Sequence, residues 1–479
     1  GAERNMAFLS RRHFLSGAGA VGFASGMGAL SSVTAGKSWA ADVSGYKALV
    51  CIFLKGGMDH ADTVLPYDQA SYDQLANVRE GMYNSYNVTN APSSRNRANL
   101  LRLNPANSGV LGGRELALPQ ELSPLHSMFE GGDLAILGNV GPLLEPTLRS
   151  QIEANTAILP ARLFSHNDQQ STWMAFGVEG QRRGWGGLFA DAVLASSPSA
   201  DPAFTSISAT SNDVFLSGNV ATPFRVSSNG AASPTLVNQR NYLGFASEDD
   251  EARARIREHL ARTNFGDGNI FAQDVRDSSG RAIDTSERLL TARENEGPFA
   301  TEFENDNFGR QMKSVAETIK IQTYLNAPRQ IFYVSSGNFD THNNQANMIG
   351  GPHAGFANAI ASFKAAMQEI GQWNNVAVFT MSDFGRTLID NGDGTDHGWG
   401  GHHFIAGGQV NGNRLYGEFP AAEPESGSYT PSRGRLIPTT SVEQYAATLG
   451  RWFGLSNSEL ATALPNLGNF NQSDLAFMR

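Results

Sequence analysis

Four short polar clusters in this chain have the residue types that metal-assisted chemistry uses. They are Asp59-His60 with Asp62, Ser165-His166-Asn167-Asp168, Asp340-Thr341-His342, and a longer run. That run goes from Ser382-Asp383-Phe384-Gly385-Arg386-Thr387 through Asp396-His397 to His402-His403. Five of the 10 histidines fall between positions 342 and 403, a concentration that chance placement rarely gives. Mixed carboxylate and imidazole donors suit zinc or a similar divalent cation. Asp340 and His342, two apart at a strand end, can point the same way. Asp396 and His397 follow Gly392, Gly394 and Thr395, where glycine lets backbone approach an ion. Two cations about 4 Å apart would clamp a tetrahedral ester between its entering and leaving oxygens. Ser165 is then a candidate nucleophile activated by metal, and Arg386 a fork for the non-bridging oxygens. An esterase pairing Ser165 with His166 ranks lower, because neighbours in sequence rarely supply both nucleophile and base.

Each residue also has a structural reading. Asp340, after Gly337-Asn338, can close a turn, and Asp383 can cap the next helix with Arg386 in a surface ion pair. Ser165 reads as an N-cap whatever its chemistry. His353, ahead of a helical run, reads as structural. His402 and His403 divide evenly between a supporting role and the surface.

The positioning elements follow from hydropathy. Lys47 to Leu54 (KALVCIFL) is a continuous apolar run of strand length, suited to a strand buried on both faces, and it stops at the turn Lys55-Gly56-Gly57. Residues 67–115 are polar and read as a long surface excursion. A helix is expected over 119–130 and a buried strand over 134–140. Another helix is expected after Ser165, broken by Gly184-Trp185-Gly186-Gly187. Residues 200–300 read as an insertion or cap with a charged helix near 249–263. Helix 309–325, strand 330–336, helix 353–370, strand 375–381 and helix 441–453 then alternate at βαβ spacing. That alternation argues a doubly wound, mostly parallel α/β sheet with helices on both faces. In such sheets ligands sit beyond the carboxyl ends of the strands, where the polar clusters fall.

The formal net charge of the 479 residues is -10, which discourages nucleic acid and anionic lipid as partners. The single Cys51 allows no internal disulfide and no thiolate-rich zinc finger. Residues 1–40 read as a twin-arginine export signal: Arg11-Arg12 precede Phe14-Leu15, a Gly/Ala-rich stretch and the small-residue site Ser38-Trp39-Ala40. Met6 reads as the natural start, with residues 1–5 foreign to it. Gly17 to Gly22 matches G-x-G-x-x-G, but it lacks the strand before it and the acidic residue about twenty positions on, so no dinucleotide site is expected. Residues 41–479 are expected as one domain without stable membrane insertion, in the periplasm or secreted, with the twin-arginine translocase as export partner.

The strand ending in LKGGMD, then FSHND, GNFDTHNNQ, SDFGRT and GTDHGWGG, in this order, resemble the bacterial family catalogued as domain of unknown function 1501. That family is considered a branch of the alkaline-phosphatase and sulfatase superfamily. The resemblance implies an alkaline-phosphatase-like sheet with a one- or two-metal site at its C-terminal edge. By matching motif positions it implies Asp340, His342 and His397 for one metal, with Asp59, Asp383 and Ser165 contributing to the other. The chain departs from the superfamily at Lys55-Gly56-Gly57, where a metal-binding Asp usually ends the first strand, and at Asp383, where relatives commonly carry Glu. No C-x-P-x-R segment exists, which excludes a formylglycine sulfatase. The expected function is a metal-dependent hydrolase of phosphate or sulfate esters, zinc first among the metals, on a small-molecule or polysaccharide ester. The alternative is a noncatalytic exported binding or assembly protein that keeps the fold.

Overall fold

The computed structural model describes residues 40–88, 94–211, 213–227, 255, 258, 259 and 268–479. The expected signal segment and most of the expected helix 249–263 therefore lie outside the described residues.

KALVCIFL forms β1 (Lys47–Leu54) as its hydropathy dictates. Its side chains alternate between two cores. Ala48, Val50, Ile52 and Leu54 enter one, and Leu49, Cys51 and Phe53 enter the other. The remaining strands are β2 (Leu65–Pro66), β3 (Leu101–Arg102), β4 (Leu116–Leu118), β5 (Leu134–Gly141), β6 (Ser206–Ser208) and β7 (Phe224–Arg225). They continue with β8 (Arg329–Ser336), β9 (Val376–Ser382), β10 (Gly401–Ala406), β11 (Leu415–Gly417) and β12 (Thr440–Ser441). The central sheet runs β11-β5-β10-β9-β1-β8-β6-β7, with β12 also on β5. Every ladder in it is parallel except the two that β10 makes with β5 and β9. The expected α/β class holds.

The helices used below are α1 (His60–Thr63), α2 (Gln69–Val78), α3 (Glu80–Val88), α4 (Ser123–Glu130), α5 (His166–Ala175) and α6 (Trp185–Ser196). After them come α7 (Ile270–Glu296), α8 (Asn307–Lys320), α9 (Gly350–Glu369) and α10 (Val442–Phe453). Leu125 of α4, Val315 of α8 and Phe363 of α9 pack on one face of the sheet. Phe189 of α6 and Leu449 of α10 pack on the other, so the sheet is doubly wound. Among the described residues no helix is long and apolar enough to cross a membrane.

Three regions differ from expectation. Residues 67–115 carry α2, α3 and the small sheet β2-β4-β3. They bury Leu75, Met82, Tyr86, Arg79 and Arg95, because those two arginines neutralise carboxylates inside the domain. Residues 200–300 are partly scaffold: β6 and β7 extend the main sheet beside β8. Gly184 to Gly187 do not break a helix but begin one. Its glycines admit a neighbouring turn, since a Cβ on Gly187 would lie 2.1 Å from the Ser217 carbonyl carbon.

Candidate metal centre

The carboxyl ends of β1, β8 and β9 and the N-terminus of α5 meet at one rim of the sheet. The turn after β1 makes the approach close. Gly56 has φ +115°, and a Cβ there would lie 2.4 Å from the Asp340 nitrogen, so only glycine fits.

Asp340 is the centre of the arrangement. Its Oδ2 lies 3.4 Å from His166 Nε2, and its Oδ1 lies 3.2 Å from His342 Nε2 and 3.5 Å from His397 Nε2. The two imidazoles His342 and His397 bring their Nε2 atoms to 2.8 Å of each other. His166, Asp340 and His397 each offer a ligand atom, all within 4.8 Å of one another. Behind each ring stands an oxygen facing Nδ1. These are Asp383 Oδ2 at 2.6 Å for His166, the Phe164 carbonyl at 2.7 Å for His397, and Asp396 Oδ1 at 3.4 Å for His342. An Nδ1–H held by oxygen leaves the Nε2 lone pair free, which is how metal-binding histidines are oriented. Donor separations of 2.8–3.5 Å bracket the roughly 3.3 Å edge of a tetrahedron with bonds of about 2.0–2.1 Å. The residues fit a divalent cation of zinc type.

Charge agrees with this. Burial works to raise the Asp340 carboxyl, but Arg386, then His342 and His166, hold it below its ordinary value. The hydrogen bond to Asp383 lifts His166 above the usual imidazole range, whereas burial pushes His397 below it. The side chains of Asp340, His342, His166 and His397 keep 43%, 42%, 30% and 22% of their surface exposed. That leaves the cluster open to a ligand, as a structural zinc site is not.

Of the six residues expected to bind metal, the structure brings Asp340, His342 and His397 together. Asp383, fully buried, stands one layer back: it accepts from His166, from Gln170 Nε2 at 2.9 Å and from Gly56 N at 3.1 Å. Asp396 likewise sits behind His342 and pairs with Arg433. Asp59 does not reach the cluster, because both its oxygens take the Arg79 guanidinium at 2.6 and 2.9 Å. That pairing overcomes burial and holds its carboxyl below the ordinary carboxylate range.

Of the three residues expected to act in catalysis, His166 joins the convergent rings. Arg386 does not face the opening. Its fully buried guanidinium donates to Asp340 Oδ1 at 2.8 Å, to the Gly56 carbonyl at 3.1 Å, to Thr395 Oγ1 at 3.2 Å and to the Thr395 carbonyl. It braces Asp340 instead of gripping a ligand. Ser165 occupies the N-cap position of α5, but its hydroxyl donates to Asp168 Oδ2 at 2.9 Å and accepts from no N–H of that helix. His353 is buried against Thr63 and Glu121, as its structural reading held. His402 and His403 are both buried in β10. His402 Nδ1 accepts from Asn139 N at 3.0 Å, and His403 Nδ1 lies 3.2 Å from Thr380 Oγ1. Gln170 and the Phe164 carbonyl went unforeseen. The first stands one helical turn after His166, a spacing that could have pointed to it, whereas a backbone carbonyl leaves no sequence signal.

A comparison with curated proteins gives no match. Among solved structures the chain is similar to the C-terminal periplasmic domain of EcEptC from Escherichia coli in complex with Zn. The identity is 9% and the TM-score 0.34, over 87% of this chain and 85% of that one. It is also similar to the PsFucS1 sulfatase from Pseudoalteromonas sp., at 8% identity and TM-score 0.34, over 86% of this chain and 68% of that one. The family model described as "Protein of unknown function (DUF1501)" matches residues 46–461, and the chain belongs to that family.

Proposed function

We propose that the chain is an extracytoplasmic metal-dependent hydrolase of phosphate or sulfate esters. In this reading the twin-arginine translocase exports it, and its substrate is a small-molecule or polysaccharide ester. One observation carries the proposal: three imidazoles with oxygen-held Nδ1 atoms turn their Nε2 atoms toward one half-exposed carboxylate. His166, Asp340, His342 and His397 would hold the cation, zinc first. When bound, such a cation polarises the ester oxygen and stabilises the charge that develops on it.

The chain's own residues supply the rest. Asp383, Asp396 and the Phe164 carbonyl fix the ring orientations, and Arg386 holds Asp340 in register. Ser165, beside His166 at the start of α5, is the nucleophile in this reading. Its hydroxyl proton already points at the Asp168 carboxylate, which would accept it. Metal analysis of the purified protein, with assays on aryl phosphates and aryl sulfates, tests the proposal. Bound zinc with turnover that Ser165→Ala removes is expected; no metal and no turnover would end it.

The noncatalytic reading draws on Lys55. That residue lies where an acidic ligand is common, and its Nζ is 3.4 Å from Asp213 Oδ2, on a partner outside the cluster. Asp340→Ala and His342→Ala separate the two readings. The hydrolase loses metal and turnover while staying folded, and the binding protein loses only what stability the pair contributes.

A further inference from the structure

The short helix Gln345–Met348 begins with a side chain that the centre described above does not use. Gln345 is fully buried, and its amide is engaged on both sides. Its Oε1 accepts from the Thr341 hydroxyl at 2.8 Å and from the Thr395 hydroxyl at 2.9 Å. Its Nε2 donates to Asp59 Oδ2 at 2.8 Å and to Asp62 Oδ2 at 3.1 Å. Both carboxylates also take arginine guanidinium groups, so the NH2 group must face them and the amide orientation is determined by its neighbours.

Those partners matter by position. Thr341 lies between Asp340 and His342, and Thr395 precedes Asp396-His397. Thr395 N also donates to the Thr341 carbonyl at 3.0 Å, and Gln345 N to the Asp393 carbonyl at 2.9 Å. Thr395 Oγ1 accepts from Arg386 Nε, whose Nη1 holds Asp340. On its other side Gln345 is tied to a buried ion lattice. In it Asp59 pairs with Arg79, Asp62 with Arg95 at 2.6 Å, and Arg95 with Glu121 at 2.8 Å. Hydrogen bonds to charged groups are among the stronger ones, and buried networks of this kind hold a single geometry.

We propose that Gln345 is a positioning residue of the metal centre: one amide sets the separation of the two ligand-bearing loops by joining Thr341 and Thr395 to the Asp59–Asp62 lattice. The inference rests on the metal-centre reading above. It also gives Asp59 a function at the site without making it a ligand.

Zinc affinity by chelator competition and the visible spectrum of the cobalt(II)-loaded protein test it. Gln345→Met keeps the volume and removes both sets of hydrogen bonds. It is expected to fold, to bind zinc ten- to a hundredfold more weakly, and to shift the cobalt bands. Thr395→Val alone should weaken zinc at least threefold, since it removes both the bond to Gln345 and the acceptor of Arg386 Nε. Affinity within twofold of wild type with an unchanged cobalt spectrum in Gln345→Met overturns the inference. If that variant does not fold, Thr395→Val decides in its place, with wild-type affinity overturning it. A wild-type chain that takes up neither zinc nor cobalt removes the centre and this inference together. A centre that binds metal but ignores Gln345 removes this inference alone.

Discussion

In the proposed reading, Asp340 is where a fixed organic cation and an exchangeable metal ion would meet on one carboxylate. Arg386 holds Oδ1 from the buried side, while the three rings face the carboxylate with their Nε2 atoms. Arg386→Ala is therefore expected to free Asp340, leave the Gly56 and Thr395 carbonyls without a donor, and destabilise the fold by about 2–4 kcal/mol. Denaturant unfolding of the metal-free protein measures that. Chelator competition should show at least a tenfold loss of zinc affinity, and loss of stability with unchanged affinity would contradict the bracing role. At this scale the sequence was a good guide to residue types and a poor one to layers. Asp340, His342 and His397, singled out from residue type and spacing, do converge. Asp383, Asp396 and Asp59 carry the same side chain as a ligand. Only the positions of His166, His342 and Arg79, distant in the chain, decide that the carboxylates support rings or pair with arginine.

At the scale of elements, hydropathy located strands such as β1, β8 and β9 nearly to the residue, since each is apolar on both faces and ends in a polar or glycine turn. It failed where a polar segment is drawn inside by charge. Arg79, beside α2 and α3, is buried by its pairing with Asp59, and no hydropathy pattern anticipates that. Arg79→Met should leave Asp59 charged and unpaired, costing about 3–5 kcal/mol. A thermal midpoint close to wild type would show that the pair is dispensable. It failed again at α6, whose glycines looked like a break. Gly187→Ala would press a methyl onto the Ser217 backbone, and a loss of about 2–3 kcal/mol in denaturant unfolding is expected. A neutral result would mean that the turn at Val214–Leu216 can move away.

Across the whole molecule, the two cores on either side of the sheet hold ionisable groups away from the rim as well. Glu443, in the first turn of α10, is almost fully buried, and only its Oε1 has a partner, Asn466, at 2.8 Å. Burial raises its carboxyl from 4.5 to about 7, against the Asn466 hydrogen bond. Between those values the folded chain keeps a proton that the unfolded chain releases. Stability therefore falls as pH rises through that window. Glu443→Gln should leave stability unchanged near pH 4 and raise it at pH 8 by on the order of 3 kcal/mol, as unfolding curves at the two pH values would show. The order of the strands has a last consequence. His166, the Asp340–His342 loop and His397 come from three separate stretches of chain, two of which follow β8 and β9 on either side of β1. In the proposed reading those strands must be in place before an ion can be selected, so the ion would depend on what is available where folding ends.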